Sequence, residues 1–251
     1  MELDLLLERT HKAERDHFWF KGLRRFVRPM LDRAAKGRTD LRLLDCGCGT
    51  GFHLDMLEQY GRSYGFDLTR LGLHFALTHY GRRRLVQASV THLPYRSDYF
   101  DVLTSFDVLV CLDQAGETRA LSEFYRVLKP GGSVVINVAA LEVLRGTHSV
   151  VAVETRRYDK RMMRAGLERA GFRVDRLTYT NCLLFPLMLP VRLFQRAMGL
   201  PTLEEASNDL ELPIAPVNIA FSGVLAVEAA LVRYVNMPVG SSLLALATKP
   251  L

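Results

Sequence analysis

Along the chain, short apolar runs bounded by glycine, proline or charge alternate with segments whose apolar residues recur every three or four positions. The runs ending at Asp45, Asp67, Ala88 and Phe106, then Ser133–Val138, Phe172–Thr180 and Ser242–Thr248, read as seven strands. Between them, helical periodicity covers Phe52–Tyr60, a segment beginning near Thr69, Glu117–Leu128 and Lys160–Ala170. Lys129-Pro130-Gly131-Gly132 is expected to break the third of these helices, because proline cannot continue it and glycine permits the reversal. Met1–Lys36 also reads as helical, with a second segment over Phe20–Ala35. Alternating strand and helix predicts a doubly wound α/β fold with a mostly parallel sheet.

The regular alternation stops after Thr180, where a quick return into the last strand is expected. Residues Asn181–Pro238 intervene instead: an apolar piece through Pro190, a basic amphipathic piece through Met198, a polar linker over Pro201–Pro213 and a mostly apolar helix over Val217–Val235. That helix carries Asn218, Glu228 and Arg233, which makes it a poor membrane span. It suits a cap over an apolar pocket, a homodimer face or a peripheral membrane contact, and the cap or subunit contact is favoured. Four segments follow: an N-terminal helical lid (1–40), a core (41–180), a helical insertion (181–238) and the final strand (239–251).

The most informative stretch is Asp45-Cys46-Gly47-Cys48-Gly49-Thr50-Gly51, an acid at a strand end followed by three glycines at alternate positions. Such a loop turns sharply and lets a ligand lie against the backbone with no Cβ in the way. A dinucleotide fingerprint would place the third glycine one position later. This stretch resembles motif I of the class I S-adenosylmethionine-dependent methyltransferases. Ala88-Ser89-Val90-Thr91-His92-Leu93-Pro94-Tyr95 and Arg126-Val127-Leu128-Lys129-Pro130-Gly131-Gly132 resemble stretches of their ubiquinone-biosynthesis-like group, and Trp19-Phe20 with Arg24-Arg25 resembles a W-F-x-x-R-R stretch that precedes motif I in one bacterial group.

The resemblance implies a seven-stranded Rossmann-like methyltransferase sheet and S-adenosyl-L-methionine as methyl donor, with S-adenosyl-L-homocysteine as product. It places Asp45, Gly47, Cys48, Gly49 and Gly51 at the donor and gives the ribose to Asp67, with Leu68 flanking the adenine. Ser89 stands where the group has an acid for the adenine amino group, so backbone groups of Val90 are an alternative. The strand end at Phe106 should face the methionine part, and Trp19 and Arg24 should lie over the cofactor. The Glu-His often found after the fourth strand is replaced by Val110-Cys111. Arg145–Ser149 and Glu154–Tyr158 resemble a subgroup loop reading H-D then G-H-x-R-R-Y, matching at His148, Arg156, Arg157 and Tyr158 and departing at Ser149 and Thr155, which makes His148 the candidate base and Tyr158 a hydrogen-bonding positioner. Asp107 and Asp113 read as capping or surface acids.

Composition adds little that is specific. The chain has 251 residues, 24% charged, with a net charge of +6, which fits a solvated basic surface better than a nucleic-acid interface. No metal cluster or C-x-x-C pair stands out, and the four cysteines with a charged N-terminus suit a reduced, cytoplasmic setting. The leading expectation is a methyltransferase acting by direct displacement on a small-molecule, hydrophobic biosynthetic intermediate. The alternative is a non-catalytic S-adenosylmethionine-binding partner or regulatory subunit. A nicotinamide oxidoreductase would rest on the glycine loop alone.

Overall fold

The computed structural model describes residues 2–81, 84–146, 149–150, 153–199 and 212–251. Seven strands form one sheet: β1 (Leu41–Cys46), β2 (Gly61–Asp67), β3 (Leu85–Gln87), β4 (Phe100–Phe106), β5 (Leu128–Ala139), β6 (Arg173–Thr180) and β7 (Ser242–Thr248). Their order is β3-β2-β1-β4-β5-β7-β6. Neighbours from β3 through β5 run parallel, and β7 is antiparallel to both β5 and β6. The order reverses between β1 and β4. Open α/β sheets leave a crevice at such a point, beyond the carboxyl ends of the strands. The strands are apolar because the sheet is covered on both faces, and Leu43, Leu44, Leu103, Val135, Ile136 and Leu244 are all fully buried.

Eight helices accompany the described sheet: α1 (Glu2–Ala13), α2 (Phe18–Ala35), α3 (Leu54–Glu58), α4 (Arg70–Tyr80), α5 (Gln114–Val127), α6 (Lys160–Arg169), α7 (Phe185–Met198) and α8 (Ala215–Val232). Several starts follow capping chemistry. Thr69 accepts from the Gly72 N–H, Asp113 from Gly116 and Asp159 from Met162. Asp113 is thus a cap, as expected.

Two elements differ from the sequence reading. The helix expected over Phe52–Tyr60 is only five residues long, because the glycine turn continues to His53. The Lys129–Gly132 stretch does end α5, yet it belongs to an extended segment starting at Leu128. Leu128 pairs with Phe100 and Ser133 with Val102, so the intervening residues bulge from the ladder.

The N-terminal helices and the insertion are bound to one another. Asn218 on α8 accepts from the Phe18 N–H at 2.8 Å and donates to the Asp16 carbonyl at 2.9 Å. At Gly22 a Cβ would lie 2.5 Å from Leu225 Cδ1, so glycine lets α2 and α8 meet closely. Glu228, fully buried, accepts from the backbone N–H groups of Cys182 and Leu183 at 2.8 and 2.9 Å. Helix α8 is long and apolar enough to cross a membrane by length and composition, but these polar residues serve contacts inside the fold. Its outer face exposes Ile219, Val227 and Leu231.

Candidate active site

Strand β1 runs into a turn that only glycine can make. Gly47 sits at φ +73°, and a Cβ there would fall 2.4 Å from Val108 Cγ2. Gly49 follows at φ +50°. The Cys48 N–H donates to the Phe66 carbonyl and the Gly51 N–H to the Cys48 carbonyl, both at 2.8 Å, which fixes the turn against β2.

Asp67, at the end of β2, completes this arrangement. Its Oδ2 accepts from the Gly49 N–H at 2.8 Å. Its Oδ1 accepts from the Thr69 N–H at 2.8 Å and the Thr69 hydroxyl at 2.6 Å. A carboxylate offers about four acceptor positions. Three are filled here, and Oδ2 retains one. The same side chain therefore organises the turn and keeps acceptor capacity toward the space above it.

That space is a cavity of about 650 Å³ at the carboxyl ends of the strands. One half lies over β3, β2 and β1, between Gly47–Thr50, Asp67, Leu68 and Ala88–Val90. The other reaches across β4 to the ends of β5 and the start of β7, at Ala139, Ser241 and Ser242. The N-terminal helices form a roof with Leu7, Glu14, Phe18, Trp19 and Phe20, and α7 contributes Met188 and Arg192. Trp19 meets Phe20 edge-on at 5.1 Å.

Of the residues proposed from sequence, the cavity wall contains Gly47, Cys48, Gly49, Asp67, Leu68, Ser89, Val90, Phe106 and Trp19. The Ser89 hydroxyl is engaged with that of Thr91 at 2.9 Å. Four others lie elsewhere. Asp45 is buried beneath the turn and accepts from the Thr104 hydroxyl at 2.6 Å, and desolvation raises its pKa to about 7. Gly51 closes the turn from behind. Arg24 points outward, holding α2 to α3 through the Phe52 carbonyl and both Asp55 oxygens at 3.1–3.3 Å. Tyr158 is buried in the core, where its hydroxyl donates to the Leu109 carbonyl at 3.3 Å and burial pushes its pKa up. This placement leaves it out of reach of a ligand in the cavity. His148 lies outside the described residues.

The cavity also holds ionisable groups to which the sequence reading gave no site role. Glu14 on the loop after α1 accepts a short hydrogen bond from the Thr50 hydroxyl, and burial raises its pKa to about 7. Asp107, just past β4, adopts φ +56° and accepts from Asn137 Nδ2 at 3.1 and 3.2 Å. Desolvation, then the nearby Glu154, lifts it to about 7. His53 stands edge-on to Phe106 at 4.7 Å with its Nδ1 buried and unpartnered, and desolvation lowers its pKa to about 3. Glu154 and Arg157 complete the far wall. Asp107 had read as a cap or surface acid, and nothing in local sequence marks an acid that tertiary packing turns into a cavity.

Residues 44–136 match the family model described as a methyltransferase domain. A ubiquinone/menaquinone biosynthesis C-methyltransferase of Proteus mirabilis is 26% identical over 200 residues, covering 64% of this chain and 76% of that protein. A malonyl-[acyl-carrier protein] O-methyltransferase of Salmonella typhimurium is 33% identical over 104 residues, 39% of each chain. The chain spans less than half the length of most of the curated relatives it matches, as with 45% for an uncharacterised Methanocaldococcus jannaschii protein and 48% for a Vibrio parahaemolyticus C-methyltransferase.

Among solved structures, the complex of the Haloferax volcanii Trm112 methyltransferase activator with a methyltransferase aligns over 98% of both chains, at TM-score 0.60 and 18% identity. A candidate sarcosine dimethylglycine methyltransferase from Galdieria sulphuraria aligns over 91% of this chain and 85% of that one, at TM-score 0.61 and 12% identity. At these identities the structural likeness speaks for the fold. The match to a methyltransferase domain thus covers residues 44–136, on a fold shared with solved methyltransferase-fold proteins.

Proposed function

We propose that this protein binds S-adenosylmethionine over the glycine turn and transfers its methyl group to a small, apolar-bodied biosynthetic intermediate held in the other half of the same cavity. The observation carrying this reading is the continuity of one cavity from the Gly47–Asp67 wall to the polar wall beyond β5. The residues fit the donor. Glycines leave the turn open to close approach, Asp67 Oδ2 keeps room for a ribose hydroxyl, and Leu68 and Val90 offer apolar flanks for a base. Glu14, beside Thr50, supplies a carboxylate for a cationic group.

When bound, the donor supplies a methyl already activated by its positively charged sulfur. The chain's own work is then alignment and exclusion of water. The roof aromatics, Trp19 and Phe20, screen the space from solvent, while Phe52, His53 and Phe106 line the wall below. Asp107, poised near neutrality between β4 and the acceptor half, can take a proton where the acceptor must lose one. We assign residues 1–40 and 181–238 as the two covers of the cavity, and propose a cytoplasmic setting on the four free thiols. The names of the relatives, a quinone-biosynthesis C-methyltransferase and a malonyl-carrier O-methyltransferase, support a small-molecule acceptor.

Ser89, bonded to Thr91 where the related group has an acid, favours a second reading as a non-catalytic binding subunit. One experiment separates the two. Calorimetry with S-adenosylhomocysteine, paired with labelled-donor assays on apolar acids, phenols and amines, should show binding and transfer to at least one acceptor. Binding without transfer supports the subunit reading, and no binding contradicts both.

A further inference from the structure

We propose that the far wall of the cavity is a recognition site for an apolar-bodied carboxylic acid that carries a neighbouring hydroxyl or amine, with Arg157 receiving the carboxylate and Glu154 the donor group. The proposal deepens the functional reading above by naming the acceptor's chemical class, and it rests on that reading for the transfer step alone.

The argument starts from unmet hydrogen-bonding capacity. The Arg157 and Glu154 side chains are 8% and 3% exposed, with Nε and Oε2 3.2 Å apart, and both line the cavity. Yet Arg157 Nε and Nη1 and Glu154 Oε2 have no hydrogen-bond partner: the two charges are near each other but misaligned. A buried ion pair stabilises only when its remaining donors and acceptors are satisfied, and a partly satisfied one costs more than an apolar replacement.

Structural arginines of this chain show what satisfaction looks like. Arg126 uses all three nitrogens, on Glu123 and on the carbonyls of Leu93 and Tyr95. Arg145 spends its own on Glu142 and on the carbonyls of Glu154 and Thr155. Arg157 has no such set, and burial with nearby Arg192 and Arg145 depresses its pKa while Glu154 opposes this.

The backbone around the pair is held firmly. Thr155 N–H and hydroxyl donate to the Val110 carbonyl at 2.8 and 2.9 Å, and the Tyr158 N–H donates to the Ala139 carbonyl at 2.9 Å. The unmet atoms are therefore positioned rather than loose. These atoms lie sealed just behind the cavity wall that Arg157 and Glu154 help to line; unmet guanidinium donors at a wall call for an anionic oxygen, and the planar group suits a carboxylate best. A lone carboxylate oxygen beside them calls for a hydroxyl or ammonium. Leu112, Leu144 and Met188 give the rest of this half an apolar lining, which sets the body of the ligand.

The test is calorimetric titration of the full chain with 2-hydroxyoctanoate, octanoate and 1,2-octanediol, each with S-adenosylhomocysteine present and absent. Wild type should bind the hydroxy acid at least about tenfold more tightly than the diol, the usual size of a charged hydrogen bond in a buried site. Arg157→Gln should erase that preference, and Arg157→Lys should recover part of it. Glu154→Gln should narrow the margin of hydroxy acid over plain octanoate. S-adenosylhomocysteine affinity reports the integrity of each variant's other half-cavity. Equal binding of acid and diol by wild type, or a preference surviving in Arg157→Gln, overturns the proposal. Acid preference without S-adenosylhomocysteine binding supports this site and contradicts the methyltransferase reading instead.

Discussion

At the scale of single residues, the site is built from carboxylates whose surroundings differ. Asp67 meets three donors, whereas Asp45, one strand away, meets the Thr104 hydroxyl in a fully buried position. Burial raises Asp45 from 3.8 to about 7. An acid whose folded value is raised binds its proton more tightly in the folded chain. Its contribution favours folding below about pH 4, is lost as pH climbs toward 7, and stays lost above that. Asp45→Asn removes this group's titration. The stability of the variant relative to wild type should therefore rise between pH 5 and pH 8 by on the order of 2–4 kcal/mol. Denaturant melts at the two pH values measure it, and a difference independent of pH would contradict the buried-acid account. None of this was legible in the sequence, where Asp45 read as a donor contact. The motif shows an acid at the strand end but not that the turn folds over it. Glu14, His53 and Asp107 were missed for the same reason, since each becomes a wall residue only when separate elements close around it.

At the scale of elements, the sequence was more informative, because strands buried on both faces must be apolar and glycine turns announce themselves. The last strand, Ser242–Thr248, and the turn after β1 lie where the pattern placed them. The short α3 and the extended Leu128–Gly132 segment were not legible, since both depend on pairing with a neighbouring strand or turn. Helix α8 shows the same limit. Its apolar run is visible, but the purpose of Glu228 is not until the backbone of Cys182 and Leu183 is seen against it. Glu228→Ala would leave the Cys182 and Leu183 N–H groups without their acceptor and a void at a fully buried position, so it should destabilise the fold by about 2–4 kcal/mol, read as a shift in the urea midpoint. Glu228→Gln keeps one acceptor oxygen and should lose less. Equal stability of wild type and Glu228→Ala would mean that the helix docks without this clamp.

At the scale of the whole molecule, the order β3-β2-β1-β4-β5-β7-β6 opens a crevice above β1 and β4, and the N-terminal helices with α7 turn it into a cavity. The half over β1 and β2 was foreseen through Asp67 and the glycines. For the half over β5 and β7, the resemblance marked the loop carrying Arg156, Arg157 and Tyr158 but gave no wall role to Glu154 or Arg157, because that loop carries no period and its side chains are placed only by packing. The measurement that bears most directly on this arrangement is a crystal structure of the protein with S-adenosylhomocysteine. The account predicts the sugar hydroxyls within hydrogen-bond distance of Asp67 Oδ2, the base between Leu68 and Val90, and the sulfur directed toward Phe106 and the far half of the cavity. A product molecule bound elsewhere, or one lying in the cavity with Asp67 turned away from its sugar, would contradict it.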